Sequence, residues 1–379
     1  MKELDVSQIP TPCYVCEKEK LQKNLAILEC VQKESDCKIL LALKGFSMFS
    51  VFPLLNKVLK GTCASSLYEA RLGREEFGGE VHIYAPAYRD DEFDEILSLA
   101  DHVVFNTFSQ WEHFKDRVLE SKKRVSCGLR INPEVSEVET EIYNPCCRFS
   151  RLGTTKAEFR EGSLDGIRGI HFHALCEKNV DALERTLENV EKGFGHLLQK
   201  MEWVNFGGGH HITRRDYGVD RLIELILRFK NDYGVDVYLE PGEAVALDAG
   251  VLVASVVDTM RNEMDIAIID ASASAHMPDV LEMPYRPQIR GAGIPGDYPF
   301  TYRLAGTTCL AGDVIGDYSF EKPLRKGDKI VFEDMLHYTM VKNNTFNGVR
   351  LPSIAVWSAE KGCEIVRRFG YEDYKSRLS

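Results

Sequence analysis

Lys44 ends the apolar run Ile39-Leu40-Leu41-Ala42-Leu43. A lysine at the mouth of such a run is poorly hydrated, so its pKa falls and the neutral amine can add to a carbonyl as a Schiff base. Gly207-Gly208-Gly209 follows Trp203-Val204-Asn205-Phe206, and three glycines let backbone N–H groups approach an anion such as a phosphate. Glu240 opens Glu240-Pro241-Gly242-Glu243, and a carboxylate there can pair with a protonated ring nitrogen. His173 can stack on a planar ring or ligate a metal. Read alone, each residue has an ordinary alternative. The lysine can snorkel to solvent, the glycines can serve tight packing, the glutamate can be a surface residue before a turn, and the histidine can be a hydrogen-bonded core residue.

The elements that must position these groups are legible from hydrophobic periodicity. Short β-rich runs alternate with amphipathic helical stretches: KILLALK (38–44), GTCAS (61–65), VHIYAP (81–86), HVVFN (102–106), RVSCGLRIN (124–132), GIRGIHFH (166–173), WVNFGGG (203–209) and VDVYLEPG (235–242). About eight strands with intervening helices predict an α/β fold, a (β/α)8 TIM-like barrel. Helices are expected over 67–77, 109–119, 182–201 and 220–232, where apolar residues recur at spacings of three and four. After Glu243 the chain reads as the strands VLVASVVDTM, DIAIIDAS, GDKIVFEDM, PSIAVW and CEIVRRF separated by Gly/Pro/Asp-rich turns, a C-terminal all-β domain. The expected division is a barrel over 15–245 and a β-rich domain over 246–379 together with 1–14. Lys44, Ser65, Arg130, Asn132, His173, Gly207 to Gly209 and Glu240 fall at the C-terminal ends of the barrel strands, the end that carries active sites in this architecture. Lysine, ring-sized aromatic surface, glycine cradle and carboxylate, in that order on one barrel, are the parts of a pyridoxal 5'-phosphate site.

Composition bounds the partners. With 47 Lys+Arg against 58 Asp+Glu the net charge is −11, which argues against nucleic acid and permits a cationic ligand. No apolar run approaches the roughly 18 residues of a membrane span. The start MKELDVSQIP has no apolar signal region, so the eleven cysteines are expected as free thiols in a cytoplasmic protein. Cys146-Cys147 and the lone pair Cys13, Cys16 do not supply a four-ligand zinc site, and no metal is expected. A competing reading takes His171 and His173 with His210 and His211 as a metal-dependent barrel hydrolase, but it leaves Lys44 and the glycines without a role.

The motifs TPCYV, LALKGF, GIHFH, NFGGGHH, LEPGEA, AGTTCLAGD and DMLHYT resemble the alanine racemase-like, fold type III pyridoxal-phosphate decarboxylases. EPGEA together with DASASAHMPDVLEMPYRPQI (270–289) resembles the branch acting on carboxynorspermidine and carboxyspermidine. The resemblance implies that Lys44 carries the cofactor covalently, His173 stacks on its ring, and Gly207, Gly208, Gly209 and Tyr338 hold its phosphate. Glu240 would pair with the ring nitrogen, and Arg130 would lie near cofactor and lysine. It further implies that Cys309 and Asp313 enter the neighbouring subunit's site, so that a homodimer with shared active sites is expected, with Cys309 reprotonating Cα. Ornithine-type relatives read EPGR, whereas Glu243 stands here in the arginine's place. That puts the usual phosphate contact in doubt and puts an anion where a polycationic amino-acid substrate could bind, with Asp279 as second acid and Asp313 as a third candidate. Diaminopimelate- or ornithine-type decarboxylation is the alternative within the family.

Overall fold

The computed structural model describes residues 4–379, so the first three residues of the N-terminal piece assigned to the β-rich part lie outside the described residues. The chain divides into two compact units, Asn24–Val245 and the remainder on either side of it.

The first strand, β1 (Cys13–Glu17), leads into the long helix α1 (Lys18–Ser35). The barrel follows as β2 (Lys38–Ala42), β3 (Gly61–Ala64), β4 (Glu80–Tyr84), β5 (His102–Phe105), β6 (Ser126–Arg130), β7 (Ile167–His171), β8 (Trp203–Asn205) and β9 (Asp236–Leu239). All eight pair in parallel, and β2 closes the ring on β9 through Lys38↔Tyr238 and Ile39↔Leu239. Between them run α2 (Phe52–Leu55), α3 (Leu67–Leu72), α4 (Phe93–Leu99), α5 (Phe108–Glu120), α6 (Val180–Leu198) and α7 (Val219–Tyr233). In α6 the buried residues Val180, Leu183, Leu187, Val190, Phe194 and Leu197 recur at spacings of three and four, so one stripe packs inward. The helix expected over 67–77 is α-helical only to Leu72 and continues as a π-turn over Gly73–Phe77. A Cβ at Gly73 would lie 2.3 Å from Thr62 Oγ1 on β3, so this segment is drawn against its strand more closely than a side chain permits.

Parallel strands buried on both faces need a filled lumen. Trp203 supplies much of it. Its ring occupies the space where Cβ atoms of Gly128 and Gly169 would come within 2.3 and 2.1 Å, and its indole N–H donates to Ser126 Oγ at 2.9 Å. Leu40, Cys63, Val104 and Tyr238 complete this layer.

In the other unit β1 lies inside a mixed sheet, parallel to β16 (Ser353–Ser358) and antiparallel to β10 (Gly250–Asn262). The sheet runs β12-β14-β13-β11-β10-β1-β16-β17, with β15 (Lys329–Glu333) also on β10. Here β11 is Met264–Ile269, β12 Ala292–Gly293, β13 Phe300–Ala305, β14 Val314–Phe320 and β17 Gly362–Arg367. β13 and β14 were not among the expected strands. Each is only partly buried, and Gly316 and Asp317 interrupt the alternation in β14.

Candidate active site

In the barrel unit the groups singled out from the sequence converge at the C-terminal ends of the strands. Lys44 stands two residues past β2, in a turn closed by Gly45 N–H donating to Ala42 O at 3.0 Å. That turn packs on the one after β9, since a Cβ at Gly45 would lie 3.0 Å from Gly242 Cα. The Pro241 carbonyl accepts from Ala42 N–H at 3.1 Å, so the lysine and Glu240 are positioned by one backbone junction. Lys44 keeps accessible surface although protein surrounds it deeply in the mouth. That surrounding bulk first, and the Arg130 guanidinium second, hold its pKa below the ordinary lysine value.

Glu240 is only 6% exposed. Its Oε1 accepts from Asn205 Nδ2 at 2.7 Å, and its Oε2 faces His171 Nε2 at 3.2 Å. Burial alone would raise its pKa, but the adjacent His171 outweighs that and brings it to about 2, so the carboxylate is ionised at neutral pH. His171 also stacks on Tyr84, with centroids 5.4 Å apart, and the Arg130 guanidinium lies 4.5 Å from the centroid of the same tyrosine ring. Arg130 ends β6, donates to the His173 carbonyl at 3.2 Å, and keeps a buried Nε without a hydrogen-bond partner.

His173 Nδ1 accepts from Gly208 N–H at 2.9 Å. Burial first, then Lys44 and Arg130, push its pKa well down, so the ring is neutral with its proton on Nε2. The glycine loop works by proximity. Gly207 and Gly209 have φ of +70° and +82°, and Cβ atoms at Gly207, Gly208 and Gly209 would sit 2.4, 2.4 and 2.0 Å from the carbonyl oxygens of Phe172, Glu240 and Leu175. Two of its N–H groups are already bound inside the protein, Gly207 to Asn205 Oδ1 at 2.8 Å and Gly208 to His173. Glu243 opens α8 (Glu243–Ala246) and has Oε2 3.4 Å from His211 Nε2. Glu177 joins these two, the three side chains offering ligand atoms within 4.8 Å of one another.

The other expected residues lie in the sheet unit. Cys309 is exposed, and its N–H donates to Asn347 Oδ1 at 2.8 Å. Asp313 is 3% exposed and accepts from Ser272 Oγ at 2.9 Å, from Thr308 Oγ1 at 2.6 Å, and from the N–H groups of Thr308 and Ser274 at 3.2 and 3.3 Å. That carboxylate pins the ends of the loop carrying Cys309. Following α9 (Ala273–His276), Asp279 opens α10 (Asp279–Glu282) and is paired, like Glu282, with the Lys342 ammonium. Tyr338 precedes α11 (Thr339–Lys342) with φ of +43°, unusual for a bulky residue.

Sequence reasoning missed Asn205, Tyr84 and Glu177, and took His171 and His211 only as metal candidates. Asn205 had a signal: an amide two residues before a glycine that must turn can cap the turn.

The barrel mouth fits a phosphorylated pyridine. An ionised carboxylate is held by two donors, an imidazole is kept neutral, a buried guanidinium N–H lacks a partner, and a loop has space only for glycine. Fold and mouth together define a class, the barrel enzymes that work through a pyridoxal cofactor. Comparison narrows this to one family: the chain belongs to the pyridoxal-dependent decarboxylases, whose family model, described as "Pyridoxal-dependent decarboxylase, C-terminal sheet domain", matches residues 13–335. It is a carboxy-lyase with pyridoxal phosphate as cofactor. The chain is 46% identical to a carboxynorspermidine/carboxyspermidine decarboxylase of Campylobacter jejuni over 98% of this chain and 99% of that one. It is 48% identical to a carboxyaminopropylagmatine decarboxylase of Synechocystis sp., covering 98% and 96% of the two chains. The crystal structure of carboxynorspermidine decarboxylase from Campylobacter jejuni complexed with norspermidine superposes with a TM-score of 0.91, at 46% identity over 97% of this chain and 100% of that one.

Proposed function

We propose that this chain decarboxylates carboxynorspermidine and carboxyspermidine, releasing norspermidine and spermidine in polyamine biosynthesis. The observation that carries the reading is Glu243, beside His211 in the barrel mouth where ornithine-type relatives have arginine. A distal carboxylate, as in diaminopimelate, would be repelled there, whereas a distal ammonium is attracted. The two triamines differ by one methylene, a distinction of about 1–3 kcal/mol in an apolar pocket, so one site serves both.

Bound pyridoxal phosphate supplies the electron sink for the pair left on Cα as CO₂ departs. Lys44, whose pKa burial lowers, would hold the cofactor through its amine, the neutral form being favoured there. The ionised Glu240 carboxylate would keep a proton on the ring nitrogen, because a nearby anion stabilises that nitrogen's charged form. His173 would present its ring face, Arg130 would set the field beside the lysine, and Gly207, Gly208 and Gly209 would hold the phosphate, a role the family resemblance also gives to Tyr338. Cys309 returns a proton to Cα from a neighbouring subunit of a homodimer. The protein works in the cytoplasm, a reading supported by eleven free cysteines and by the lack of any described helix long and apolar enough to cross a membrane.

The test is CO₂ release by purified holoenzyme from carboxynorspermidine, carboxyspermidine, carboxyaminopropylagmatine, diaminopimelate and ornithine. The expected kcat/KM for the carboxylated triamines exceeds that for the last two by at least about a hundredfold. A preference for diaminopimelate or ornithine overturns the reading. The Synechocystis relative supports a second reading, carboxyaminopropylagmatine as best substrate, which keeps the reaction and exchanges the terminal amine for a guanidinium.

A further inference from the structure

Two acids that sequence alone offers for the substrate's distal amine are already compensated. Asp279 shares the Lys342 ammonium with Glu282, and Asp313 is saturated by hydroxyl and backbone donors. Negative charge in the barrel mouth instead gathers around Glu243. Glu177 and His211 each bring a ligand atom to within 4.8 Å of it and of each other.

His211 is the second indication that something binds there. It is 6% exposed, its Nε2 is directed at Glu243 at 3.4 Å, and neither ring nitrogen makes a hydrogen bond. A buried imidazole without hydrogen bonds is costly unless a ligand completes it. The cluster is held on fixed backbone: Lys178 N–H donates to Gly209 O at 3.1 Å and His211 N–H to Lys178 O at 3.2 Å, joining the Glu177 segment to the glycine loop. Glu177 adopts φ of +53°, a conformation uncommon for a residue with a side chain. The cluster also adjoins the reacting centre, for the Cys176 thiol feels Glu177, Glu243 and Lys44 together.

We propose that Glu177, Glu243 and His211 form the subsite for an ammonium of the substrate's polyamine arm, with Glu177 a specificity-determining residue. This rests on the triamine reading above and assigns where that substrate is read. Two carboxylates and an imidazole acceptor suit an ammonium of the cationic substrate. A protonated amine donating at about 2.8 Å reaches acceptors up to roughly 5.6 Å apart, and the three ligand atoms all lie within 4.8 Å of one another.

The test uses Glu177→Gln and Glu177→Asp holoenzymes, with cofactor absorbance and Tm confirming that each is folded and loaded. Two readouts are taken: steady-state kinetics with carboxynorspermidine, and calorimetric binding of norspermidine, which needs no turnover. Glu177→Gln should raise KM and the norspermidine Kd by about ten- to a hundredfold, as expected for a lost charge-assisted contact. Its kcat should stay within about threefold of wild type, and Glu177→Asp should recover most of the binding. Unchanged KM and Kd in Glu177→Gln overturn the subsite while leaving the triamine reading intact. Wild-type enzyme that neither turns over carboxynorspermidine nor binds norspermidine overturns both. Stoichiometric manganese or zinc binding that disappears in Glu177→Gln, with norspermidine binding unaffected, overturns the ammonium in favour of a metal.

Discussion

Asn205 has both ends of its amide occupied. Its Nδ2 donates to Glu240 Oε1 at 2.7 Å, and its Oδ1 accepts from Gly207 N–H at 2.8 Å, so one side chain joins the Glu240 carboxylate to the glycine loop, the two groups proposed above for the cofactor's ring nitrogen and phosphate. Such a residue positions two others without touching the reacting atoms. Asn205→Asp separates its two duties. The new carboxylate still accepts from Gly207 N–H, but it sets a second negative charge against Glu240, and two carboxylates in one buried site cannot both stay ionised. The variant is therefore expected to bind pyridoxal phosphate, seen as cofactor absorbance, while kcat falls by more than about tenfold because Glu240 no longer holds the ring nitrogen's proton. Wild-type kcat in this variant would show that the amide does not maintain the Glu240 charge. Asn205→Ala leaves the Glu240 oxygen and the Gly207 N–H each without a partner, at about 1–3 kcal/mol apiece, and should lower Tm as well.

At the scale of elements, two glycines with the same backbone sign have different reasons to be glycine. Gly234 caps α7 at φ of +69°, and a Cβ there meets nothing within 4 Å. Gly209 sits at φ of +82°, and a Cβ would lie 2.0 Å from the Leu175 carbonyl oxygen. Gly234→Ala should therefore cost about 1 kcal/mol, read as a small shift in urea midpoint with cofactor affinity unchanged. Gly209→Ala must push the loop off the Leu175 and Cys176 backbone beside it, so its cofactor Kd, titrated by absorbance, is expected to rise at least about tenfold; wild-type affinity would refute the proximity role of the loop. This contrast marks what a sequence conveys. The eight barrel strands and the positions of Lys44, Arg130, His173 and Glu240 at their ends are legible, because periodicity is local and a strand end is where it stops. The contacts that tune the site are not: His171 meets Glu240 across 69 residues, Asn205 meets Glu240 across 35, and Lys342 meets Asp279 across 63. Trp203 was legible as a strand residue, but its fit over Gly128 and Gly169 depends on three strands closing into a ring. β13 and β14 escaped for a related reason: half-exposed strands carry a weak alternation, and their pairing with each other supplies the rest.

For the molecule as a whole, the net charge of −11 indicates little by itself, and what matters is where the acids are held and on which unit. The barrel unit contains Lys44, Glu240, the glycine loop and the Glu177–Glu243 pair, while the sheet unit contains Cys309 on a loop whose ends Asp313 fixes. Cys309 is exposed, whereas most of the other cysteines are buried or half-buried, and an exposed thiol on a pinned loop suits delivery into a second chain. If a working site takes its lysine from one subunit and its cysteine from the other, each defect can be assigned to a separate site. Lys44→Ala and Cys309→Ala chains are each expected to be nearly inactive. In a mixed dimer one site collects both defects and the other collects none. Equal mixing with free subunit exchange makes half the dimers mixed, each with one intact site of two, so activity should recover to about a quarter of wild type. Recovery should be absent when the two substitutions lie in the same chain and that chain is mixed with a Lys44→Ala chain, because every site then lacks its lysine. A mixture of the single variants that stays as inactive as its parents, while sedimentation shows exchanged dimers, would place Lys44 and Cys309 in the site of a single chain.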